Sequence, residues 1–311
     1  MKETGSFPKI AVLMSTYNGE AYLKKQIDSI LGQKDVDVYL YIRDDGSTDG
    51  TKDIIQGYVN RVNVFFKEGK ENYGPGKSFM YLLYAIGKTG DYQYYAFSDQ
   101  DDIWLEEKLI SAVGMLDNEN VPQLYCSNQI IYEDGEEKGL RFKEWPDLTL
   151  AGHMTCNKLS GCTMLLNKLL VDEIVCHKCP KPDIINLRMH DAFVFLVALI
   201  IGEVKYDATS YILYRIHENN VVGVKGRNLF ERVHRASKKG LPYKNLRMRT
   251  AQFLLSNYQI NKEADKIIME EFANYQVSIK NRLKLMSDKQ FCEISGENRW
   301  MFIVKILINY V

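Results

Sequence analysis

The chain has 311 residues, 46% hydrophobic and 26% charged, the balance of a globular protein able to bury a sizeable core in one large or two modest domains. Its 40 Lys and Arg offset 40 Asp and Glu, which excludes a molecule-wide attraction to nucleic acid or anionic membrane and leaves any such preference to local patches. A charged start leading into a short apolar run predicts no signal peptide, residues 192–201 are too short an uncharged run to span a bilayer, and 6 cysteines fit reduced cytosolic thiols better than a disulfide scaffold.

Residues 10–14 are continuously apolar, as expected of a parallel strand covered on both faces. Tyr22, Leu23, Ile27, Ile30 and Leu31 then recur at helical spacing, and Val36, Val38, Leu40 and Ile42 alternate as a second strand. A second helix carries Ile54, Ile55, Tyr58 and Val59, and a third strand Val62, Val64, Phe65 and Phe66. After the glycine-rich loop at 72–76 come a helix with Phe79, Leu82, Leu83 and Ile86, a strand at 94–97, and a helix from Leu105 to Leu116. Repeated units of this kind predict a parallel sheet with right-handed crossovers.

Three of these strands end in polar clusters: Ser15-Thr16-Tyr17-Asn18, Asp44-Asp45-Gly46-Ser47 and Asp99-Gln100-Asp101-Asp102. Ligands of open α/β sheets bind at that edge, so three converging polar ends describe a site. Clustered carboxylates repel unless a cation or donors compensate them, and Mg2+ or Mn2+ prefers oxygen ligands shared with phosphates. The plainer reading is a solvated acidic turn before a helix. Gly76-Lys77-Ser78 resembles the end of a P-loop, but Glu71 stands where that motif needs glycine, and Phe79 takes the place of the third glycine of a dinucleotide-binding loop. His153, Cys156, Cys176 and Cys179 have zinc-site spacing without the glycine-rich turns that usually accompany it.

Ser15-Thr16-Tyr17-Asn18-Gly19-Glu20-Ala21-Tyr22-Leu23, Asp44-Asp45-Gly46-Ser47-Thr48-Asp49 and Asp99-Gln100-Asp101-Asp102 resemble, in order and spacing, the three N-terminal motifs of family-2 glycosyltransferases. Gly161-Cys162-Thr163-Met164 is similar to the family's acceptor-side loop and His190-Asp191 to the segment bearing its catalytic base, although the family often has Glu where His190 stands. Residues 214–223, beginning Tyr214-Arg215-Ile216-His217, resemble the signature of the rhamnosyltransferase-like branch. The resemblance covers roughly residues 7 to 224. It implies a GT-A fold, a Rossmann-like mixed α/β sheet flanked by helices, with a catalytic domain over 1–224 and a helical extension over 225–311.

The resemblance also implies roles. Asp45 accepts a hydrogen bond from a pyrimidine lined by Thr16 and Tyr17, Asp99 meets the nucleoside side of the donor, and Asp101 holds the metal. Asn18 joins the donor pocket or caps a helix; Asp44 and Ser47 form the turn. Asp102 assists the metal or caps the next helix. Asp191 is the base for the acceptor hydroxyl, against the plain alternative of an N-cap. His217 is a metal or diphosphate contact or an ordinary polar residue, and Arg215 pairs with diphosphate oxygens. Gly161, Cys162 and His190 stand on the acceptor side or behind it, and Trp104 packs near a sugar or in the core.

Between Lys225 and Thr250 nine bases face one acid, Glu231, beside Leu229, Phe230 and Val233, so that neutral total charge conceals a local asymmetry. Such a segment reads as a membrane-surface helix or as a solvated face. The last helices look like a small appended bundle, and the apolar run at 300–308 either docks in a membrane interface or packs on the domain. The reading is an inverting, metal-dependent transferase of a sugar from dTDP-rhamnose or a UDP-hexose to a glycan or lipid-linked glycan, cytoplasmic or peripheral at the inner face of the cell membrane, with no nucleic-acid partner. A nucleotide-sugar binding module and a sugar nucleotidyltransferase are the alternatives. The second needs a basic loop where Ser15-Thr16-Tyr17-Asn18 stands.

Overall fold

The computed structural model describes residues 6–118, 120–217 and 243–311. At its centre is β1 (Lys9–Thr16), parallel to β2 (Asp37–Asp44) on one side and to β4 (Tyr94–Ser98) on the other; β3 (Val64–Glu68) extends the sheet beyond β2. Beyond β4, β9 (Leu165–Asn167) runs antiparallel between β4 and β6 (Gln123–Ser127), and β10 (Glu203–Asp207) closes that edge parallel to β6. The seven-stranded sheet is therefore mixed, with its first four strands parallel as the β-α pattern predicts.

Successive side chains of a strand point to opposite faces. Ala11 and Leu13 accordingly enter the core cluster on one face, and Ile10, Val12 and Met14 the cluster on the other. α1 (Leu23–Leu31) and α4 (Lys108–Met115) cover the second face; α3 (Pro75–Gly87), α6 (Lys168–Cys176) and α7 (Pro182–Ile201) cover the first. The helix expected from Leu105 begins at Lys108, and ahead of it lies β5 (Ile103–Trp104), which pairs with β11 (Ile212–Arg215) in a small second sheet completed by β7 (Ile130–Glu133) and β8 (Glu136–Leu140). That pairing ties the acidic loop after β4 to Arg215 and His217, more than a hundred residues away.

By length and composition α7 could cross a membrane, but two thirds of its apolar stretch is buried in the fold. It is also two helices, broken at Met189, whose φ of 68° and ψ of 162° fall in a region open essentially to glycine alone.

The helices α8 (Leu246–Asn257), α9 (Glu263–Asn274), α10 (Ile279–Ser287), α11 (Lys289–Ser295) and α12 (Arg299–Leu307) follow. Phe272, Phe291, Phe302 and Val311 join the same cluster as Leu13 and Phe195, so these helices share the core of the sheet. The proposed boundary at 224 and most of the basic run fall outside the described residues. Of its described members, Lys244 is exposed, whereas Arg247 is buried against Glu297 and Arg249 pairs with Asp183, so the latter two bases hold the fold together.

Candidate active site

The C-terminal ends of β1, β2 and β4, the start of α3, the loop before β9 and the break in α7 enclose one cavity of about 650 Å³. Thr16, Tyr17, Asn18, Asp45, Asp99, Asp101, Gly161, His190, Asp191 and His217, all singled out in the sequence, line it.

On the β2 side, Asp44 forms the turn: its carboxylate accepts from the amides of Gly46 and Ser47, 3.1 and 2.8 Å away, and from the hydroxyl of Thr16 at 3.0 Å. Asn18 is not a helix cap. It adopts a left-handed φ of 47°, and its side chain accepts from the Thr48 amide at 2.9 Å, locking the first loop to the second. Asp45 is buried with Arg43, and its oxygens also accept from the amides of Tyr73 and Gly74 at 2.8 and 2.7 Å. A carboxylate has about four acceptor positions, so this one is rigidly aimed with little capacity to spare.

The β4 side gathers the acids. Asp101 Oδ2 lies 2.8 Å from His217 Nε2, and Arg215 donates from its amide to Asp102 at 3.2 Å and from Nε to the Asp101 carbonyl at 2.9 Å. Burial, then the charges of Asp101 and Asp191, push the Asp99 carboxyl up to about 7. Burial, with Asp101 and Asp99, drives Asp102 well above the usual carboxylate range. Among the described residues Asp102 Oδ2 is buried without a hydrogen-bond partner, and ligand atoms of Asp99, Asp102 and Cys162 lie within 4.8 Å of one another. Crowded carboxylates with an orphaned oxygen are short of positive charge, and a divalent cation fits that deficit.

Across the cavity stands Asp191, one residue beyond His190 and two beyond the break at Met189. Its Oδ1 accepts from the Ala192 amide at 2.7 Å. Burial nevertheless outweighs the backbone donors and raises its carboxyl to about 6. His190 is stacked on Phe79 at 4.1 Å between centroids, and burial lowers it to about 3; it is a neutral wall. Gly161 touches both: a Cβ there would lie 2.5 Å from His190 Nε2 and 3.3 Å from the Asp191 Cβ. That close approach accounts for glycine at this position.

Four expected residues do not reach the cavity surface. Trp104 is buried in the core with the Lys108 ammonium 3.8 Å from its ring, because β5 turns its side chain inward. Cys162 is buried behind Asp99 and Asp102. Asp102 is buried as well and does not cap α4, whose N-cap is Glu107. Arg215 does not line the cavity; its guanidinium lies near the Tyr22 and Tyr132 rings and positions Asp101. Conversely, the sequence reading missed Gln100, which clasps the Tyr17 backbone at 2.8 and 3.0 Å, and Arg141, held on the cavity wall by Gln129 and Ser160. Gln100 was discoverable from its place inside the acidic motif; Arg141 sits in a loop with no pattern to flag it. Among the described residues, His153, Cys156, Cys176 and Cys179 form no common ligand group, since His153 is turned to the Asp147 carbonyl.

A mixed α/β sheet carrying a carboxylate-lined cavity at its C-terminal edge is the GT-A architecture of nucleotide-sugar transferases. Residues 11–167 match the model of Glycosyl transferase family 2, and the chain belongs to that family. It is 35% identical over 219 residues, 68% of this chain and 73% of the relative, to the dTDP-rhamnosyl transferase RfbG of Shigella flexneri. Among solved structures, S. aureus TarS 1-349 in complex with UDP is similar with a TM-score of 0.60 at 17% identity, over 97% of this chain and 89% of that one. The mannosyltransferase PcManGT of Pyrobaculum calidifontis, solved with GDP-Man and Mn2+, has a TM-score of 0.52 at 12% identity, over 98% and 87%. The protein is a glycosyltransferase.

Proposed function

We propose that the enzyme transfers a sugar from a nucleoside diphosphate to a glycan or lipid-linked glycan hydroxyl with inversion, using Asp191 as the base. The observation that carries this reading is that Asp45, Asp101 and Asp191, far apart in the chain, line one cavity. Asp45, fixed by Arg43 and two amides, recognises the base of the nucleotide, with Thr16 and Tyr17 beside it. Asp99 faces the nucleoside or donor sugar. Asp101 and His217, backed by Asp102, would hold a divalent ion, and imidazole suits Mn2+ better than Mg2+. When bound, the ion neutralises charge developing on the departing diphosphate. Asp191 takes the proton of the acceptor hydroxyl as it attacks the anomeric carbon, and the Gly161 loop packed on it sets its position. Similarity to a dTDP-rhamnosyl transferase favours dTDP-rhamnose as donor, with a UDP-hexose second, and a lipid-linked glycan acceptor would be met at the cytoplasmic face of the membrane.

Asp191→Asn tests the assignment. Transfer should fall by about 10³-fold or more, a general base contributing roughly 10²–10⁴, while the thermal shift given by nucleotide sugar and Mn2+ stays as in the unaltered enzyme. Normal turnover by the variant would reject Asp191 as base.

A further inference from the structure

α12 is amphipathic in an unusual sense. Its buried side carries Phe302 and Ile306, yet its outer side is also apolar: Trp300, Met301, Val304 and Leu307, continued by Ile308 at its C-cap. At 3.6 residues per turn these five cover an arc of roughly 120°, and no charged residue falls within it. Trp300 is 77% exposed. α10 packs against α12 and adds Ile279, 81% exposed, and Leu283. Single exposed apolar side chains are ordinary, but seven of them on two touching helices mark an interaction surface.

Charge identifies the partner. From 277 to 311 the chain has 6 Lys and Arg against 3 Asp and Glu, and Glu297 is occupied internally by Arg247 and Lys305. Lys280 follows Ile279 around the exposed side of α10, where Lys284 is paired with Glu271 at 3.0 Å; Lys289 and Arg299 open α11 and α12. Among the described residues Lys280, Lys289 and Arg299 pair with no carboxylate. An apolar face with an exposed tryptophan and flanking cations matches the interface of an anionic lipid bilayer, where the ring sits at headgroup depth and bases meet lipid phosphates.

We infer that the outer face of α10 and α12 seats this enzyme on an anionic membrane surface. This deepens the reading of the acceptor as lipid-linked, but its geometry is separate from the catalytic cavity. The test is co-sedimentation of the full chain with vesicles of phosphatidylcholine, with and without phosphatidylglycerol. The unaltered protein should pellet with the anionic vesicles and be released by high salt. Trp300→Glu should lower partitioning by about ten-fold or more by placing a charge in the apolar face, and Lys280→Glu by about five-fold or more, each base being worth about 1 kcal/mol at such a surface. Both positions are exposed, so unchanged thermal melting verifies that the variants fold. Equal pelleting of Trp300→Glu, or no pelleting of the unaltered protein, would overturn the inference. So would a dimer, seen by light scattering and dissolved by Trp300→Glu, in a protein that ignores vesicles. Donor-induced thermal shifts of the same variants report separately on the cavity: their absence in every variant and in the unaltered protein would sink the proposed donor site and leave the vesicle result standing.

Discussion

At Asp191 burial and backbone donors oppose each other, and burial wins, leaving the carboxyl near 6. A base works only when ionised, so kcat/KM should fall with a unit slope as pH drops below about 6. A limb nearer pH 4, where an ordinary aspartate titrates, would show that Asp191 is not the group whose ionisation limits turnover. The same shift has a stability consequence of definite sign. The folded carboxyl lies above its unfolded value, so its contribution is fully present below about pH 4 and lost as pH rises through 6. Among single residues, the carboxylates at strand ends were legible because charge at that edge of a sheet has few structural uses. Trp104 and Arg215 were not. Which way each side chain turns depends on the pairing of β5 with β11, two short strands separated by more than a hundred residues, and no local periodicity encodes that register.

Elements show the same division. The β-α alternation through β4 could be read from apolar spacing alone, whereas the antiparallel β9 is three residues long and too brief to carry a pattern. In α7 the apolar half was legible and the break was not, since nothing about methionine announces a positive φ. The break is what sets Asp191 at the start of a fresh helical segment beside the Gly161 loop, and strain of this kind costs about 1–3 kcal/mol. Met189→Val, β-branched in a conformation such residues avoid, should destabilise the protein by about 1–3 kcal/mol in urea unfolding and depress turnover. Met189→Gly should be close to neutral in stability, because the relieved strain offsets the extra freedom of the unfolded chain. Equal losses from the two would mean that packing of the side chain, rather than backbone conformation, governs this position.

Across the whole molecule, the C-terminal helices were expected as an appendage and instead contribute to the core under the sheet. Phe272, Phe291 and Phe302 are fully buried, each worth about 1.5–3 kcal/mol, and Arg188 reaches from α7 to the Thr250 hydroxyl at 3.2 Å. Removal of residues 243–311 should therefore abolish cooperative thermal unfolding, followed by circular dichroism, rather than release an active catalytic domain. A truncated chain with a sharp melt would show that the sheet and its own helices suffice. The proposed reaction requires distant carboxylates to serve a single donor and a single acceptor in one cavity. Its most direct test is a crystal structure with nucleoside diphosphate and Mn2+, using the anomalous signal of manganese to locate the ion. The expected result is one ion held by Asp101 and His217, with the nucleobase against Asp45 and Asp191 facing the open side of the diphosphate. An ion and nucleotide bound away from these residues would contradict it.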